Sequence, residues 1–234
     1  GSPASAATLT VSTLDFSLPA GDDGWCTLYE AVASANTDTA SGALAGECAA
    51  GLDDDTIVFS AATPATYFLL YGPLVITDGL TIVGPGADRL TLDAQGFHRI
   101  FVYSPTDILG APTFDLGGMT LSGGEAVGDH NGFGLGSGGA PLTQYGSTLL
   151  HDLVVRDNLA QDQGAGVYSA SRLTVERSTF DGNSNRGPIL FSGGGGAISH
   201  NSSYDLTIRD STFVDNLALT DSASGALFDP HGGA

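Results

Sequence analysis

Asp152 and Asp157, and again Asp210 and Asp215, stand five residues apart in the chain. Two carboxyl groups held about 5–9.5 Å apart are what glycosidic hydrolysis needs, one to give a proton and one to take a proton or attack. With 22 aspartates among 234 residues, such pairs arise from number alone, so the catalytic residues are left unassigned. A lyase acting on uronates needs a cation over the substrate carboxylate and a strong base. The chain has no Lys, and its 7 basic residues are all Arg. His98, His130, His151, His200 and His231 come no closer than 21 residues and never show an H-x-x-x-H spacing, so no metal site is expected. No Gly-x-Ser-x-Gly elbow joins a strand to a helix. Asp53-Asp54-Asp55 has the ligand type for calcium but lacks the spaced oxygens, central Gly and closing Glu of an EF-hand loop. It reads as a solvated turn, with calcium the one cofactor left open.

A binding site is better served by two long inserts. Residues 123–147 hold Asp129, His130, Asn131, Phe133 and Tyr145, and residues 184–204 hold Asn185, Arg186, Phe191, His200, Asn201 and Tyr204. Rings beside Asn, Asp and His suit stacking on a sugar and hydrogen bonding to its hydroxyls. The expected ligand-binding set is therefore Asp129, His130, Phe133, Tyr145, Arg186, Phe191, His200 and Tyr204, against the plainer reading of two Gly-rich loops.

The charge balance narrows the partners. A formal charge of -19 would repel nucleic acid, anionic lipid and polyanionic glycans alike. The 34 glycines suggest disorder, but 41% apolar residues give the chain a core to bury. No apolar run approaches the roughly 20 residues of a membrane-spanning helix, so no membrane insertion is expected. Ala4-Ser5-Ala6 has the small residues of a signal cleavage site, which suggests export. Cys26 and Cys48, 22 residues apart, can form at most one disulfide. For an exported protein that is the expected state, with two buried thiols as the alternative.

The elements that must position these groups are mostly short strands. Thr27-Leu28-Tyr29-Glu30 has the form of a capping box, and Leu28, Ala31, Val32 and Ala35 recur at helical spacing, which predicts a helix near 27–36. Residues 1–55 then form an N-terminal cap of strands, helix and loop. From residue 56 to 234, runs of three to six residues such as 56–59, 67–70, 74–76, 80–83, 90–92 and 100–103 end in Gly, Pro or Asp, with no helical period. A doubly wound α/β fold is excluded.

Three segments align over eleven residues without gaps, beginning at Leu150, Val175 and Ile208, with offsets of 25 and 33 residues. A weaker copy begins at Leu116. A second unit, Gly-Gly-Ala-Ile in form, interleaves at residues 138, 164, 195 and 225. A period of this length built from short strands is the signature of a β-solenoid. The alignment predicts interior stacks of Val155, Phe180 and Phe213, and of Leu150, Val175 and Ile208. It also predicts a structural ladder of Asn158, Asn183 and Asn216 in one turn, where Asn tolerates left-handed geometry and its amide can bond the next. Charges agree with this register: Arg177 falls between Asp152 and Asp210, Arg209 beside Glu176, and Arg156 opposite Asp181. Thr174 with Thr207, and Thr179 with Thr212, make threonine rows of two, too short for an ice-binding solenoid. The last unit, at Gly225-Ala-Leu-Phe228, leads to the expectation of an open coil end that pairs with further repeats or another chain.

The segment Cys26-Thr-Leu-Tyr-Glu-Ala-Val-Ala-Ser-Ala-Asn36 resembles the Cys-Ser-Leu-Arg-Glu-Ala-Ile motif that opens many bacterial exported right-handed parallel β-helix proteins. Asp55-Thr-Ile-Val-Phe59, Leu80-Thr-Ile-Val-Gly-Pro-Gly86 and Arg99-Ile-Phe101 follow as in that group. The departures are Thr27, Tyr29 and Val32, which leave the helix intact. The later repeats are similar to those of polymorphic outer-membrane proteins, which are surface adhesins. The resemblance implies an all-β, right-handed parallel β-helix with a short N-terminal capping α-helix, and a secreted or cell-surface location. It implies no reaction. The expected role is a module for adhesion, surface architecture or glycan binding without catalysis, its partner a glycan or a host or cell-surface component. The alternative is a polysaccharide lyase or glycoside hydrolase with a carboxylate pair near the inserts.

Overall fold

The structure is a computed structural model that describes residues 6–14, 22–107, 112–126, 136–186 and 194–218. The strands stack in four sheets, all paired in parallel. The first sheet runs through Thr8–Val11, Asp55–Phe59, Leu80–Val83, Thr113–Gly117, Ser147–His151, Arg172–Glu176 and Leu206–Arg209. The second holds Ala65–Phe68, Leu90–Asp93, Thr120–Ser122, Val154–Arg156, Thr179–Asp181 and Thr212–Val214. A third, of two-residue strands, joins Glu125–Ala126, Leu159–Ala160, Ser184–Asn185 and Leu217–Ala218. The fourth joins Leu74–Ile76, Phe101–Tyr103, Pro141–Thr143, Val167–Ser169 and Ile198–His200. From residue 113 onward the chain visits the sheets in this fixed order, one circuit per repeat, which is a parallel solenoid.

The period-two alternation of each strand sends one side chain per coil inward at the same place. Leu9, Ile57, Ile82, Leu116, Leu150 and Val175 form one such stack, fully buried, and Ile208 extends it. Tyr67, Leu92, Leu121, Val155, Phe180 and Phe213 form another. The rings of Phe180 and Phe213 lie 5.0 Å apart and 7° from parallel. Both stacks contain the residues expected from the repeat. Each buried side chain contributes about 1.5–3 kcal/mol, so stacking of coils is what makes any one coil stable.

Sharp corners keep the sheets in register. Between the first and second sheets the turns are Gly118-Met119, Asp152-Leu153, Arg177-Ser178 and Asp210-Ser211, and the first residue of each is left-handed, with φ of 70°, 51°, 45° and 50°. Between the second and third sheets the left-handed residues are Gly123, Asp157, Gly182 and Asp215. Asp tolerates this conformation better than most side chains, which explains several of the aspartates. The asparagines expected to be left-handed here are instead the second residues of these turns. Their amides still bond each other: Asn158 Nδ2 donates to Asn183 Oδ1 at 2.9 Å, and Asn183 Nδ2 to Asn216 Oδ1 at 2.8 Å. Asn183 and Asn216 also donate to the Val155 and Phe180 carbonyls of the preceding coil, each at 2.9 Å. Gly124 ends the ladder, its N–H donating to Asn158 Oδ1 at 2.8 Å. A Cβ there would strike the Gly139 carbonyl.

Helix α1, Leu28–Thr37, packs against Thr8–Val11 and Leu74–Ile76, the first strands of the first and fourth sheets. Both arms of its capping box form: Thr27 Oγ1 accepts from Glu30 N at 3.3 Å, and Glu30 accepts from Thr27 N at 2.9 Å. At its far end Asn36 bonds Val75 O and Thr77 N. Cys26 and Cys48 form a disulfide. The acidic triplet is less solvated than its composition suggests. Asp55 is buried and accepts from Ala7 N at 2.9 Å and Leu52 N at 2.8 Å, fixing the entry to its strand.

The threonine rows are longer than two. Thr66, Thr91, Thr120, Thr179 and Thr212 share one outward row of the second sheet. Val154 interrupts it, and Thr120 is buried, donating to Ala87 O at 2.7 Å. No continuous hydroxyl face results.

Candidate functional site

The corner between the second and third sheets carries an open groove of about 300 Å³. Its walls come from four successive coils: Gly96; Gly123, Gly124 and Glu125; Asp157, Asn158 and Leu159; and Gly182, Ser184 and Arg186. The groove exists because of the turn chemistry. Glycines at 96, 123 and 182 bring no side chain of their own, so the Glu125, Asp93 and Asp157 carboxylates of neighbouring coils lie over them, while the asparagine ladder holds the backbone beneath. Phe97 follows Gly96 directly and is 73% exposed, and Tyr71, in the corner one coil earlier, is 45% exposed.

The carboxylates lie close over the glycine turns of neighbouring coils. The Glu125 carboxylate lies over Gly96, 3.1 Å from where a Cβ would stand, and the Asp157 carboxylate lies over Gly182, at 3.2 Å. Asp157 also accepts from Arg156 Nη1 at 3.0 Å, so Arg156 pairs within its own coil rather than with the register partner Asp181. Arg186 Nε donates to Ser184 Oγ at 3.2 Å. The groove thus offers carboxylate acceptors at both ends and a guanidinium at one, and the exposed Phe97 follows its first wall residue in the chain.

The expected ligand-binding residues divide between two corners. Arg186 lines the groove. Tyr145 and Tyr204, both exposed, sit instead in the corner between the fourth and first sheets, with His200 Nε2 against Tyr204 O at 2.8 Å. Asp129, His130, Phe133 and Phe191 lie outside the described residues. The two inserts do depart from the same sheet, after Glu125–Ala126 and Ser184–Asn185, and both return to the fourth. Phe97 and Glu125 were missed, and Asp157 was considered only as a partner of Asp152. Asp93-Ala-Gln-Gly-Phe97 carried the available signal: a Gly turn that closes a strand and puts an aromatic ring on the outside.

Among the described residues no three His, Cys, Asp or Glu side chains converge as metal ligands. None of their helices is long and apolar enough to cross a membrane. No protein-family model, curated protein or solved structure matches the chain.

Proposed function

We propose that the chain is a right-handed parallel β-helix module of an exported or cell-surface protein, and that it binds an uncharged, extended glycan along the groove without turning it over. The groove carries this reading: carboxylates that accept from sugar hydroxyls line it, and the exposed Phe97 follows its wall residue Gly96 in the chain, on an acidic surface that repels polyanions. Its long direction follows the coil axis, where the step is about 4.8 Å, close to the length of one sugar residue in an extended chain. Right-handedness is supported by the strong general preference of parallel crossover connections for that hand. Export is supported by the disulfide and by the resemblance of residues 26–36.

The hydrolase alternative would use Glu125 and Asp157, the two acids of the groove. They lean away from each other along the axis, toward Gly96 and toward Gly182. About two coil steps then separate them, roughly 10 Å, at the far edge of the window for paired carboxylates. That favours binding over hydrolysis. Passing the protein over immobilised neutral glycans, with a parallel assay for reducing ends and for unsaturated products, tests the proposal. Retention without product supports it, and product release decides for the enzyme.

A further inference from the structure

The outer face of the first sheet holds a second cluster, one coil corner away from the groove and unrelated to it. His151 stands in register with Gly117 on one neighbouring strand and Glu176 on the other. Its imidazole lies against Gly117, where a Cβ would collide with the ring. Nε2 is 3.1 Å from Asp115 Oδ1, and Nδ1 is 2.7 Å from Asp152 Oδ2. Arg177 donates from Nε and Nη2 to the two oxygens of Asp152, each at 2.9 Å, and from Nη1 to Glu176 at 2.9 Å. Arg209 approaches Glu176 at 3.8 Å.

An imidazole between two carboxylates satisfies both only when both ring nitrogens carry protons. Either neutral tautomer turns a lone pair toward one of the carboxylates. Asp115 is the more sensitive partner. Its Oδ1 is buried and, though within ion-pair distance of Nε2, lies off the hydrogen-bond axis. Burial pushes its carboxyl up, against the pull of His151. Asp152 is held down to about 2 by its hydrogen bonds from Arg177 and His151, so it remains an anion through the range in which an imidazole titrates.

We infer that His151 is a proton-operated tie across the coils: one proton taken up by its ring joins Asp115 on the preceding coil to Asp152, which Arg177 fastens to the following coil, and loss of that proton releases the Asp115 side. The groups facing the ring are Asp115 from the preceding strand, Asp152 from its own turn, and Glu176 and Arg177 from the following coil. The tie stiffens the coil stack while the ring carries both protons and loosens it once one is lost.

Thermal unfolding of the full chain between pH 8 and pH 5.5 tests this, comparing the native protein with His151→Gln and Asp115→Asn. The native protein should gain about 2–4 °C on acidification relative to His151→Gln, and Asp115→Asn should lose a large part of that gain. Identical pH profiles for the native chain and His151→Gln would overturn the inference. Nuclear magnetic resonance of the native protein covers the case in which a variant does not fold. The Gly118 amide, which donates to His151 O at 3.3 Å, should shift with the same midpoint as the His151 ring. A ring that titrates while Gly118 stays still would also overturn it.

Discussion

The carboxylates of Glu125 and Asp157 line one groove but lean in opposite directions, the first over Gly96 and the second over Gly182. Between these two glycines the Asp93 carboxylate lies over Gly123. A ligand laid along this corner meets carboxylates from three successive coils, those of Asp93, Glu125 and Asp157, which is a geometry for holding a chain at several points.

The asparagine ladder beneath the groove should be costly to break. Asn183 is fully buried, and its amide serves three partners. Asn183→Ala leaves the Asn158 amide and the Val155 carbonyl without their bonds, at about 1–3 kcal/mol per buried orphan. Urea unfolding should show a loss of about 2–4 kcal/mol. Asn216→Ala, at the more open end, should lose less.

Phe180 and Phe213 provide a paired comparison within one stack. Phe180 is fully buried, and Phe213 only partly so. Phe180→Ala should cost about 3–5 kcal/mol, measured as a fall in the denaturation midpoint at unchanged slope. The same change at Phe213 should cost clearly less.

The Cys26–Cys48 disulfide closes a loop with a sequence separation of 22 residues, and this loop contains helix α1. Loop-closure entropy for that length gives about 3 kcal/mol. Reduction, or Cys26→Ser with Cys48→Ser, should lower the unfolding temperature by roughly 6–12 °C. The buried stacks from residue 80 onward should remain protected from amide exchange.

Acid should act on the first sheet through Asp152. Its carboxyl is lowered to about 2, first by Arg177 and then by His151. A depressed folded-state pKa gives stability that is present above the ordinary value near 4 and is lost as pH falls toward 2. Melting curves from pH 5 to pH 2 should therefore fall more steeply for the native protein than for Arg177→Gln. Because Asp152 is largely exposed, the difference should be small.

Much of this fold was legible from residues 150–218. There each coil repeats the same two-residue turns, so Val155, Phe180 and Phe213 align without gaps. The earlier coils were harder to read because the distance from Thr66 to Thr91, Thr120 and Val154 varies and no Asn marks the turn. The threonine row therefore looked two residues long. The ladder's amide bonding was legible because Asn recurs at one position. Its backbone was misjudged because the left-handed strain falls on the preceding Asp or Gly. The site was the least legible part. Glu125 and Asp157 are ordinary acids among many, and only the third dimension places them with Phe97 and Arg186 along one corner.

Isothermal titration of neutral, extended oligosaccharides into the native protein and into Phe97→Ala tests the central claim most directly. Phe97 is exposed, so its truncation should leave stability within about 0.5 kcal/mol. Saturable binding that weakens about tenfold in Phe97→Ala, a loss of about 1.4 kcal/mol, with the oligosaccharide recovered intact, is the predicted result. No saturable binding to any neutral glycan, or binding indifferent to Phe97 and accompanied by cleavage, would contradict it.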